Sequence, residues 1–354
     1  MATIDDFLRM TLELGASDLH ITTGVPPIVR VNGKLKALDH PKLLPNDTRE
    51  LIYSILTQEQ RDVLERNWEY DFSYSLPGKG RFRVNVYYQR GSISAAFRSI
   101  PVKIPTIEEL RLPLVVSEFA MKPRGFVVVT GPTGSGKSTT LAAIINIINE
   151  TRNCHIITIE DPIEFLHPHK RSIVNQREVG TDTKSFANAL KYALRQDPDV
   201  ILIGEMRDLE TIQTALTAAE TGHLVFATLH TVDAPQTIDR IIDVFPPHQQ
   251  QQVRIQLAGC LQGIVAQQLL PTADGNGRVV AVEILVATPG IKNLIREGKT
   301  HQIYTAIQTG QKYGMQTLDM ALADLVKRGW ISYETAYEKA QDPASLKQLV
   351  TGVV

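Results

Sequence analysis

Over its first hundred residues the chain alternates helix-like and strand-like patterns of apolar positions. Ile28-Val29-Arg30-Val31 ahead of Asn32-Gly33 predicts a hairpin, because Asn-Gly accepts the positive φ angles of a two-residue turn. Arg81-Phe82-Arg83-Val84-Asn85-Val86-Tyr87 and Ser94-Ala95-Ala96-Phe97-Arg98, on either side of Arg90-Gly91, predict two more paired strands. These patterns make residues 1–99 a small α+β domain. Ile100-Pro101-Val102-Lys103-Ile104-Pro105 can neither continue a helix nor sit in a central strand, since both prolines lack an amide donor. A linker is therefore expected over residues 100–110, with its hinge in the first six.

From Gly125 onward the alternation stops. Short uninterrupted apolar runs at 126–130, 155–159, 200–203 and 224–229 are each followed by a helical pattern, as expected of parallel strands covered on both faces. Residues 139–150 predict a helix with Leu141, Ile144, Ile145 and Ile148 on one side. Beyond Thr288 the pattern is helical to the end, most clearly at 315–327 and 333–340. Residues 111–354 thus read as an α/β nucleotide-binding domain with a helical C-terminal part.

After the run at 126–130 stands Gly131-Pro132-Thr133-Gly134-Ser135-Gly136-Lys137-Ser138, a complete P-loop in the strand–loop–helix context that the motif requires, with Thr139 next to it in the candidate nucleotide-binding set. Its glycines let successive amides turn toward a phosphate, the helix N-terminus faces the same group, and Lys137 neutralises β/γ oxygens. Ser138 would hold Mg2+, and the ligand is ATP.

Hydrolysis also needs a carboxylate at the carboxyl end of a strand. Ile159-Glu160-Asp161-Pro162-Ile163-Glu164 offers three, of which Glu160 and Asp161 can equally cap a turn. Asp199-Val200-Ile201-Leu202-Ile203-Gly204-Glu205 delivers Glu205 after a buried strand, with Gly204 where many P-loop enzymes carry a magnesium aspartate. Glu205 is then expected to reach the metal through water, and Glu164 to act as the base. His223 and His230 bracket the run at 224–229 and could report the state of a γ-phosphate, although a strand-end histidine is more often structural. His167 and His169 have no third ligand at zinc spacing and read as a solvated loop.

Composition narrows the setting. The 354 residues are 43% hydrophobic and carry 37 basic against 38 acidic side chains, so nothing draws the whole chain to nucleic acid or anionic lipid. Cys154 and Cys260 are too few for a disulfide framework or a four-thiolate zinc element. The acidic start at Asp5-Asp6 lacks the order of a signal peptide, and the best apolar run, 279–287, is about half a membrane span and contains Glu283. A cytoplasmic protein is expected.

The P-loop, the acidic segment at 160–164, the strand ending in Gly204-Glu205 and the His223/His230 segment, in this order, resemble the secretion ATPase superfamily, most closely its type IV pilus retraction branch, over nearly the whole chain. In that family these are the Walker A, Asp box, Walker B and His box, and the Gly-Glu ending is normal. The resemblance implies a homo-hexameric ring of subunits, each with a PAS-like N-terminal domain and a RecA-like ATPase domain. It gives Glu164 and Glu205 catalytic importance and places His223 and His230 near the nucleotide. It further implies that N-terminal arginines close over the phosphates. Arg81 and Arg83 share a strand face and Arg98 ends the neighbouring strand, a pattern that otherwise reads as a solvated face. Arg195 completes the candidate set with Glu160 and Asp161.

Thr288-Pro289-Gly290-Ile291-Lys292-Asn293-Leu294-Ile295-Arg296-Glu297 resembles the Ala-Ile-Arg-Asn-Leu-Ile-Arg-Glu element of retraction ATPases, with Gly290 and Lys292 replacing an alanine and an arginine. The implied function is an ATP-driven motor for pilus retraction. Its expected partner is an inner-membrane platform protein that holds the ring peripherally at the membrane, with neither stable zinc nor direct nucleic acid contact. The alternatives are an assembly or type II secretion ATPase, a RecA-like nucleic-acid translocase, and a nucleotide sensor without turnover.

Overall fold

The computed structural model describes residues 2–101 and 103–352; Val102, within the expected linker, lies outside the described residues, as do Met1, Val353 and Val354. Two compact units result, one of Met1–Lys103 with Glu164–Leu166, the other of Ile104–Ile163 with His167–Val354.

The first unit is built on a six-stranded antiparallel sheet. Its strands are β1 (Asp18–Ile21), β2 (Ile28–Val31), β3 (Lys34–Ala37), β4 (Glu69–Leu76), β5 (Gly80–Gln89) and β6 (Ser92–Ser99), in spatial order β3-β2-β1-β6-β5-β4. Both expected hairpins are present, and Asn32 and Arg90 take positive φ in their turns. Alternation sends Phe82, Val84, Val86 and Phe97 into one core, against Ile4, Phe7 and Leu8 of the helix Ile4–Glu13. That helix starts at a capping box in which Thr3 and Asp6 satisfy each other's amides.

In the second unit β7 (Gly125–Thr130), β8 (His155–Glu160), β9 (Ile173–Glu178), β10 (Val200–Ile203), β11 (Leu224–Thr228), β12 (Leu261–Pro271) and β13 (Arg278–Val286) form a seven-stranded sheet in the order β13-β12-β7-β11-β10-β8-β9. All neighbours are parallel except β12 and β13. The unbroken apolar runs have a simple cause. Phe126, Val128, Ile201, Ile203, Val225 and Ala227 face one core, while Val127, Val129, Val200, Leu202, Leu224 and Phe226 face another, so neither face of the middle strands meets water. The P-loop helix spans Lys137–Thr151 and buries Leu141, Ile144, Ile145 and Ile148, the face expected from its spacing.

The strands expected from the apolar pattern do not include β9, β12 or β13 of this sheet. β9 has a mostly polar sequence, and the apolar run at 279–287 is β13, paired along its length with β12. The helix expected over 315–327 starts only at Leu318. Thr317 caps it by accepting the Met320 amide, and Gln316 instead bridges to Ile284 of β13. Among the described residues no helix is long and apolar enough to cross a membrane.

Candidate nucleotide site

Parallel strands of one sheet deliver the residues that follow them to one edge, and that is where the chemistry collects. The P-loop follows β7, Glu160 ends β8, Glu205 follows β10 and His230 follows β11. Cross-strand bonds tie these ends together: Thr130 Oγ donates to Thr231 O at 2.7 Å, and the Thr228 hydroxyl donates to Gly204 O.

Within the loop, Gly131, Gly134 and Gly136 have φ of 139°, 80° and 89°, and Gly136 caps the helix in a left-handed conformation. Such backbone turns consecutive amides to one side, making an anion cradle continuous with the helix N-terminus. Lys137 Nζ donates to Gly131 O at 2.8 Å and Pro132 O at 3.1 Å, keeping the ammonium against the loop. Pro132, Thr133 and Gly134 are exposed, Ser138 and Thr139 are half-buried, and Ser135 is buried.

Glu205 is held from two sides at this edge. Arg207 grips it with two nitrogens, Nη2 at 2.7 Å from Oε2, and His230 Nε2 lies 2.9 Å from Oε1. Partial burial raises its pKa, but the Arg207 hydrogen bond and the His230 and Arg207 charges outweigh that and hold it below the ordinary value. An ionised carboxylate with a neighbouring imidazole can orient water or hold a hydrated cation. Gly204 beside it has a steric reason: a Cβ there would stand 3.1 Å from both Glu160 Cα and Ile159 O, so an aspartate would press on the end of β8. Ser138 and Glu205 have the oxygen chemistry that Mg2+ favours.

The other candidates are placed as follows. Glu160 Oε1 accepts from Thr158 Oγ at 2.6 Å and Gln176 Nε2 at 3.1 Å, while Asp161 is exposed. Glu164 is exposed in the loop after β8 and groups with the first unit. Of the two histidines only His230 stands at the P-loop end of the sheet. His223 precedes β11 at the amino end, where its Nδ1 lies 2.9 Å from Ala218 O and its carbonyl accepts the Gly125 amide, a full strand length from His230. In the first unit Arg83 lies directly opposite Arg98 in the strand register, with Arg81 two residues along, and Arg98 Nε pairs with Asp18 at 2.9 Å. Arg195 is exposed after the helix Phe186–Ala193, over the Tyr192 ring. His167 is buried, which pushes its imidazole down to about 4; desolvation rather than solvation describes it. Sequence motifs miss Gln267, whose Nε2 donates to Ser135 O at 2.7 Å and which carries no local signature.

This fold and this edge define a P-loop ATPase. The sequence matches the family described as Type II/IV secretion system protein over residues 2–338, and the chain belongs to that family. It is 53% identical to the type IV pilus retraction ATPase PilT of Pseudomonas aeruginosa, over 96% of this chain and 98% of that one. It is 52% identical to a twitching motility protein of Neisseria gonorrhoeae, over 90% of this chain and 86% of the relative. A crystal structure of the pilus retraction motor PilT with bound ADP superposes with a TM-score of 0.89 at 54% identity, covering 98% of this chain and all of that one.

Proposed function

We propose that this chain is the ATP-driven motor subunit of type IV pilus retraction. The observation that carries the reading is the near-full-length match to a retraction ATPase, in fold as well as sequence. The site supplies the chemistry. Residues 131–139 cradle the phosphates through loop and helix amides and Lys137, the Ser135 amide being taken by Pro132 O, and Ser138 with Glu205, the latter through water, would hold Mg2+, which would neutralise phosphate charge. Glu164 takes the proton of the attacking water, Glu205 and His230 orient groups at the phosphate end, and Glu160, Asp161 and Arg195 serve as supporting contacts.

Arg81, Arg83 and Arg98 of the first unit would stabilise the charge on the transferring phosphoryl group, which a guanidinium fork does well. In this reading subunits form a homo-hexamer, the stretch around residues 100–105 is the hinge, and closure in turn around the ring drives an inner-membrane platform protein. The motor works from the cytoplasmic side, as a peripheral part of the pilus machine.

The test is a count of surface pili, and of their shortening with time, in cells lacking the chain and in cells carrying Lys137→Ala. Excess pili that never shorten are expected in both. Bald cells would assign assembly instead, and unchanged pili would remove the pilus from the function altogether.

A further inference from the structure

The P-loop rests on a side chain 132 positions away in sequence. Gln267 follows Ala266, the residue of β12 paired with Thr130 at the end of β7, and is 1% exposed. Val265, two positions back on the same face of the strand, is a buried aliphatic. A carboxamide in such surroundings is costly unless a specific bond compensates. That bond is the one from Nε2 to Ser135 O. Gln267 Oε1 and Ser135 Oγ are both buried without a partner; a methionine of similar shape at 267 would remove the first cost but would leave Ser135 O without this donor.

The loop is also fitted to this residue. A Cβ on Gly136 would stand 3.2 Å from Gln267 Nε2, and one on Gly131 would stand 2.2 Å from the main-chain oxygen of the same residue. A trans peptide unit holds its C=O and the following N–H on opposite sides. Fixing Ser135 C=O toward β12 therefore aims the Gly136 N–H, at the N-cap of the helix that starts with Lys137, away from β12.

We propose that Gln267 is a positioning residue for nucleotide binding, its carboxamide locking the Ser135–Gly136 peptide so that the Gly136 amide faces the phosphates. Gln267 touches no reacting atom, and the inference rests on the P-loop's being the ATP site. Its test uses the full-length chain with Gln267→Met, which keeps shape and loses the donor, and Gln267→Glu, which donates only when protonated. ADP affinity is measured by calorimetry, ATP KM and kcat by steady-state turnover, and folding by thermal melting, each between pH 6 and pH 8.

Gln267→Met is expected to weaken ADP binding about tenfold, the scale of one hydrogen bond, and to raise KM more than it lowers kcat. Its melting temperature stays within a few degrees of the wild type, because the lost Ser135 O bond and the removed Oε1 burial offset each other. Gln267→Glu is expected to bind ADP poorly at pH 8 and to recover toward the wild type at pH 6. Wild-type ADP affinity in the Met variant, or a Glu variant without pH dependence, overturns the inference. A wild-type chain that binds no ADP overturns the ATP reading beneath it.

Discussion

Replacing Glu283 by glutamine removes a carboxyl group from the interior of β13 and should change how stability depends on pH. Glu283 is 1% exposed, and its Oε1 accepts the Ala234 amide at 2.7 Å, in the first turn of the helix Ala234–Asp243. Burial pushes its pKa from an ordinary 4.5 to about 7; the Ala234 hydrogen bond opposes this and the charges of Asp233 and Asp319 add to it. Between those values the folded chain keeps a proton that the unfolded chain releases. The unfolded state then binds fewer protons, so stability falls as pH rises. It is fully present below about 4.5 and fully lost above about 7. The interval from 4.5 to about 7, at ~1.4 kcal/mol per pH unit, is roughly 3 kcal/mol.

The amide introduced by Glu283→Gln would keep the acceptor for Ala234 and titrate nowhere in this range. Its own seating cost is independent of pH and cancels when the difference between variant and wild type is compared at pH 5 and pH 8. Guanidinium unfolding followed by tryptophan emission reads the right unit, since Trp330 belongs to it while Trp68, 70% exposed, changes little. Relative to the wild type, the variant should gain roughly 2 to 3 kcal/mol between pH 5 and pH 8. Parallel pH profiles for the two proteins would refute the reasoning.

Two further outcomes follow from the site. Glu205→Gln leaves Arg207 and His230 without their ionised partner, and ATP turnover should fall about a hundredfold or more while ADP affinity stays within a few-fold; turnover above a tenth of wild type in a steady-state phosphate-release assay would count against it. Gly131→Ala forces a Cβ to 2.2 Å from the Gln267 carbonyl and should abolish ADP binding and lower the melting temperature by several degrees. Gly134→Ala meets nothing within 4 Å and carries only the left-handed backbone cost of about 1 kcal/mol, so calorimetry and melting of the two variants together separate crowding from conformational strain.

What can be read along the chain is what neighbouring residues impose on one another. The P-loop is complete in eight consecutive positions, and its strand–loop–helix context follows from local periodicity. The strands β7, β8, β10 and β11 are legible because helices cover both faces, which removes the alternation a half-exposed strand would show. The face of the P-loop helix is likewise set by spacing.

Only the tertiary structure decided which distant groups meet. β12 enters the sheet beside β7, so a glutamine with no motif of its own reaches Ser135. Glu205 lies beside His230 because β10 and β11 are adjacent and parallel, while His223 is carried to the opposite end of the same strand. Arg83 faces Arg98 through the β5–β6 register, and Gly204 is small because β8 passes close beside it. Sequence spacing prescribes backbone over a few residues, whereas sheet order and side-chain partners are chosen by packing between segments far apart along the chain.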